Sequence, residues 1–118
     1  MNNQAASNGN SSNQSTTRTI VPRTMIDIQP QAIVSRILLK NASGSITLFG
    51  FAAGQEVSEH TAPFEAMIQV LEGAAEVSIA GTWHTVGEGQ AILLPAGVPH
   101  AVRAPQAFKM LLTMLRKA

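Results

Sequence analysis

Two stretches decide how this chain folds: "GQEVSEHTAPFEAMIQVLEG", residues 54–73, and "GQAILLPAGVPH", residues 89–100. Each opens on a glycine, runs through a short apolar segment and carries a single histidine, His60 in the first and His100 in the second. Gly73 closes the first stretch, where a turn needs a backbone conformation that other residues avoid. Pro95 and Pro99 stiffen the loop that presents His100. Neither stretch carries the 3.6-residue apolar stripe of a helix, so both read as strand, turn and strand.

The same rhythm continues outward. "RILLK" (36–40) leads through the turn "NASG" into "SITLFGFAAG" (45–54). Downstream, Glu72-Gly73 turns into "AAEVSIAG" (74–81), whose alternation puts Ala75, Val77 and Ile79 on one face and Glu76 and Ser78 on the other. Ala80-Gly81 then turns into "TWHTV" (82–86), followed by "QAILLPAG", "VPHAVRA" and "FKMLLTML" (108–115). The last segment has helical propensity, but its brevity after Pro105 and its place behind a string of strands make it a strand. Eight or more short strands spaced by glycine turns predict an all-β sandwich or barrel. Phe49, Phe51, Ile68, Val70, Met110, Leu112 and Met114 are the core candidates, some of them at the barrel mouth. Arg36 and Arg103 read as surface charges, and Trp83 as a packing or subunit-contact residue.

Length and composition bound the rest. A chain of 118 residues is one domain. A formal net charge of +1, with no basic stripe or aromatic platforms, argues against nucleic acid and an anionic membrane surface. The absence of cysteine excludes a disulfide framework and thiolate chemistry, and the absence of tyrosine excludes a phenolic acid. No apolar run approaches the ~20 residues of a membrane span, so a cytoplasmic protein is expected. Residues 1–17, "MNNQAASNGNSSNQSTT", carry no charge and almost no apolar side chains. Such a segment is expected to be a disordered polar tail. Residues 18–34 read as a lead-in, with "MIDI" and "AIVS" as short strands around Pro30, and residues 35–118 as the barrel.

Gly54, His60 and Gly73 fall at the spacings of the first cupin motif, G-x5-H-x-H-x3,4-E-x6-G, and Gly89, Pro95, Gly97 and His100 at those of the second, G-x5-P-x-G-x2-H-x3-N. The chain therefore resembles the small single-domain, RmlC-like bacterial cupins, and the likeness extends over roughly residues 35–115. The resemblance implies an all-β double-stranded β-helix, the jelly-roll barrel. It also implies a divalent-metal site of three histidines and a glutamate. Two of those positions are filled here, by His60 and His100. Ala62 stands at the second histidine, Ala66 at the glutamate, and Ala104 at the closing asparagine.

Two alternatives follow for the site. In the first, His60 and His100 are hydrogen-bonding walls of a small-molecule pocket shared with Ala62, Ile68, Met110 and Leu112, without robust metal catalysis. In the second, a bulge at Pro63 turns Glu65 inward. His60, His100 and Glu65 then form a two-histidine, one-carboxylate site for iron, manganese, zinc or nickel in an oxygenase or isomerase. The third histidine, His84, is expected near the rim and outside the site. A third role is structural, with the barrel chiefly a dimer module. The resemblance also implies a homodimer, since small cupins commonly pair through exchanged or abutting edge strands, and the apolar "IDIQPQAIVSRILL" segment (26–39) is the expected contributor.

Overall fold

The computed structural model of the chain describes residues 17–116. The tail drawn over residues 1–17 therefore lies, apart from Thr17, outside the described residues, as do Lys117 and Ala118. Nine strands follow one 3-10 turn at Pro22–Thr24: β1 (Ile33–Asn41), β2 (Gly44–Phe51), β3 (Glu56–His60), β4 (Glu65–Glu72), β5 (Ala74–Ile79), β6 (Thr82–Gly87), β7 (Ala91–Leu94), β8 (His100–Arg103) and β9 (Phe108–Leu115). They form a five-stranded sheet in the order β1-β2-β9-β4-β7 and a four-stranded sheet in the order β3-β8-β5-β6. The two apolar faces close on one core, as expected of a jelly roll.

That core takes its members from alternate positions of both sheets. Phe51, Ile68, Val70, Phe108 and Met110 come from the larger sheet, and Ala75, Val77, Val86 and Val102 from the smaller. Phe51 and Phe108 stack with ring centroids 4.6 Å apart, and both are fully buried. The segment 108–115 is indeed a strand, paired on both sides by β2 and β4. The predicted turns are equally tight. Ala80 and Gly81, at φ 51° and 85°, join β5 to β6 as a two-residue hairpin loop. Gly73 has φ 79°, and a Cβ there would lie 2.7 Å from the Ala107 carbonyl oxygen, so the glycine is demanded twice over.

The lead-in differs from expectation. "AIVS" does not form a strand of its own but runs into "RILLK" as β1, which crosses the boundary drawn between residues 34 and 35. "MIDI" forms no strand. The Asp27 carbonyl and Ile28 lie over Gly50, while Ile26 is buried and Lys109 Nζ donates to the Arg23 carbonyl at 2.8 Å. The segment crosses the outer face of the larger sheet, and so its backbone does not continue the ladder.

Candidate functional site

His60 ends β3 and His100 begins β8, and the two are direct partners across the ladder. Their rings meet edge to face, with centroids 4.3 Å apart at 67°. A register shift on β3 brings them together. His60 lies three positions beyond Val57, but their partners His100 and Val102 are only two positions apart. The extra residue is a bulge, which resets the alternation so that Val57 and His60 both line the interior. The loops that carry the pair are tied together by backbone bonds. Gly97 N–H donates to Ala62 O at 2.8 Å, and Ala80 N–H donates to Pro99 O at 2.9 Å.

The histidines stand at one end of an apolar cavity of ≈ 240 Å³ between the sheets. Ala62, Ile68, Met110 and Leu112 line it, together with Phe49, Phe51, Val57, Phe64, Ala66, Leu94, Val102 and Met114. The aromatic and methionine members of this wall follow from alternation along β2 and β9. Phe64 does not, because it sits in the loop between β3 and β4, where no periodicity signals direction. Arg116 lies over its ring, 4.9 Å from the centroid. No carboxylate, lysine or arginine is among the lining residues.

Each imidazole is anchored through Nδ1 to a backbone carbonyl two residues back, His60 to Ser58 O at 3.0 Å and His100 to Val98 O at 3.2 Å. A carbonyl oxygen only accepts, so Nδ1 carries the proton in both contacts, and in the neutral form of either ring Nε2 then holds the lone pair. Among the described residues neither Nε2 has a hydrogen-bond partner. His100 is only 9% exposed.

Glu65 is not in this cavity, which corrects the expectation that a bulge at Pro63 turns it inward. Pro63 lies in the unpaired loop, where a bend resets no ladder, and β4 keeps an unbroken register from Glu65 to Val70. Ala66 and Ile68 face the cavity, so Glu65 faces outward. Its carboxylate accepts from Ala96 N–H at 3.3 Å, bracing the loop that leads to His100. His84 is exposed on edge strand β6 and lines a shallow groove with Gln90 and Ile92 instead. Arg103 faces outward as well, bridged to Glu76 at 2.7 Å and placed 3.8 Å over the Trp83 ring.

The residues present do not fit the four-ligand metal site that the motifs imply. Two imidazole nitrogens face a wall whose other two ligand positions are the methyl groups of Ala62 and Ala66. Among the described residues no three histidine, cysteine, aspartate or glutamate side chains gather within reach of one ion. Protein metal sites normally use three or four ligands from the chain.

The comparisons agree on the fold. The family model described as "Cupin domain" matches residues 47–114. The conserved SPY1581 protein of unknown function from Streptococcus pyogenes is 34% identical, with a TM-score of 0.83 over 94% of this chain and 99% of that one. The cupin 2 conserved barrel domain protein from Leptotrichia buccalis is 32% identical, with a TM-score of 0.77 over 80% of this chain and 46% of its own, so this chain spans less than half of that protein. A cupin superfamily protein from Desulfitobacterium hafniense, 24% identical, matches with a TM-score of 0.81 over 92% of this chain and all of its own. No curated protein matches the chain.

Proposed function

The chain belongs to the cupin domain family, and from that premise we propose that it binds a small molecule in the barrel rather than acting as a metal-dependent oxygenase or isomerase. The observation that carries this reading is the cavity itself. It offers ≈ 240 Å³ of apolar space, two imidazoles on its wall, and alanine at the two remaining ligand positions. An engineered cavity of about 150 Å³ with an apolar lining admits benzene, so this one has room for a substituted ring. Elemental analysis of untagged, chelator-free protein tests the reading, repeated after dialysis against iron, zinc, manganese and nickel. The expected result is no stoichiometric metal after dialysis against buffer. One retained equivalent of any of them would overturn the metal-free reading in favour of a centre built on His60 and His100.

We also propose that two copies associate through the outer face of the five-stranded sheet. Consecutive pairings place Leu93, Met67, Thr113, Ile46 and Leu39 in one row across all five strands. Leu93 is 70% exposed, Leu39 66% and the neighbouring Leu115 60%. An apolar band of this continuity on a small domain favours burial against a partner. The expected segment 26–39 contributes only its β1 part, because Ile26 is already buried against its own chain. Light scattering at micromolar concentration should give the mass of a dimer, and a clean monomer would count against it.

A further inference from the structure

The cavity has an unbalanced polar inventory. Its walls are apolar apart from two imidazoles, and with Nδ1 of each committed to a backbone carbonyl, Nε2 of the neutral ring is left as an acceptor. At His100, which is nine-tenths buried, that acceptor has no partner among the described residues. A buried acceptor without a donor is costly, and the cost is relieved when a donor arrives. Among the described residues no cation lines the cavity to receive a carboxylate or phosphate. A carbonyl, ether or ester, which can only accept, would meet the His100 lone pair with its own.

Resting on the proposed pocket reading, we propose that the cavity selects compact alkyl or aryl molecules that carry a hydroxyl or amine. The apolar body lies among Phe49, Ile68, Met110 and Leu112, and the O–H or N–H donates to Nε2 of His100. His60, exposed and edge to face with His100, stands beside that donor at the open end. The selectivity resides in the hydrogen carried by the heteroatom. It does not depend on the polarity of the ligand as a whole.

Four matched probes test this on the full chain by isothermal titration calorimetry: 4-methylphenol, toluene, 4-methylanisole and 4-methylbenzoate. The expected result is that 4-methylphenol binds at least about tenfold more tightly than the other three, as one hydrogen bond to a buried, unpaired acceptor provides. In His100→Leu that preference should shrink to about threefold or less, with toluene binding retained as evidence that the barrel is intact. His84→Leu, exposed on β6 outside the cavity, should leave the preference unchanged, and the toluene binding kept by His100→Leu guards against a folding failure at the buried site. Equal binding of 4-methylphenol and toluene, or of 4-methylphenol and 4-methylanisole, would overturn the donor rule while leaving an apolar binding pocket. Tighter binding of 4-methylbenzoate would overturn it in favour of an anion site. Preference undiminished in His100→Leu would overturn the role given to His100. Failure of all four probes to bind would overturn the pocket reading and this inference with it.

Discussion

Ala62 and Ala66 are single methyl groups on the cavity wall, beside two histidines held through Nδ1 to backbone carbonyls. If ligand count alone keeps a metal from being held, supplying the two missing donors should restore binding. Ala62→His with Ala66→Glu is therefore expected to raise divalent-metal affinity by about 100-fold or more over the wild-type chain, by completing a four-ligand set. Calorimetric titration with zinc measures it. Glu65→Gln should leave metal and probe binding unchanged, because its carboxylate faces outward and braces the Ala96 amide. The motif spacing made His60, His100 and the two vacant positions legible in the sequence. The direction of Glu65 was not, since a proline in a loop and a proline in a paired strand look the same in one dimension.

At the scale of the element, the turns hold the ladders in register. Ala80 adopts a positive φ of 51° in a two-residue hairpin that favours asparagine or glycine there, and an alanine in that region costs about 1 kcal/mol. Ala80→Asn is expected to stabilise the fold by roughly 0.5–1 kcal/mol, read as a rise in the urea midpoint at constant slope. Gly73→Ala should do the reverse. A Cβ in a left-handed conformation, set against the Ala107 carbonyl, is expected to cost about 2 kcal/mol or more. Both turns were predictable from the residue pairs Ala80-Gly81 and Glu72-Gly73. The bulge before His60 was not, because "EVSEH" contains no glycine or proline to announce it. Only pairing with β8 reveals the extra residue.

Over the whole molecule, the two faces of the larger sheet have different fates. The inner face joins the smaller sheet in the core, while the outer face is covered at one end by residues 22–28 and left apolar at the other. Leu93→Lys, on edge strand β7 at one end of the apolar row across that face, should halve the mass seen by light scattering without changing the barrel's unfolding midpoint in the monomer. No helix among the described residues is long and apolar enough to cross a membrane.

Local pattern alone marked the strand segments from residue 36 onward, the glycine turns between them and the two histidines of the motifs. Period-two alternation and glycine turns are properties of neighbours in sequence, and the spacing of the two motifs carried the family likeness. Tertiary structure decided everything that depends on which strand lies beside which. It inserted the bulge that turns His60 inward, set Glu65 outside on an unbroken β4 register, and laid the lead-in across Gly50 instead of along the sheet edge. A side chain's face follows from its ladder partner, and that partner lies tens of residues away along the chain.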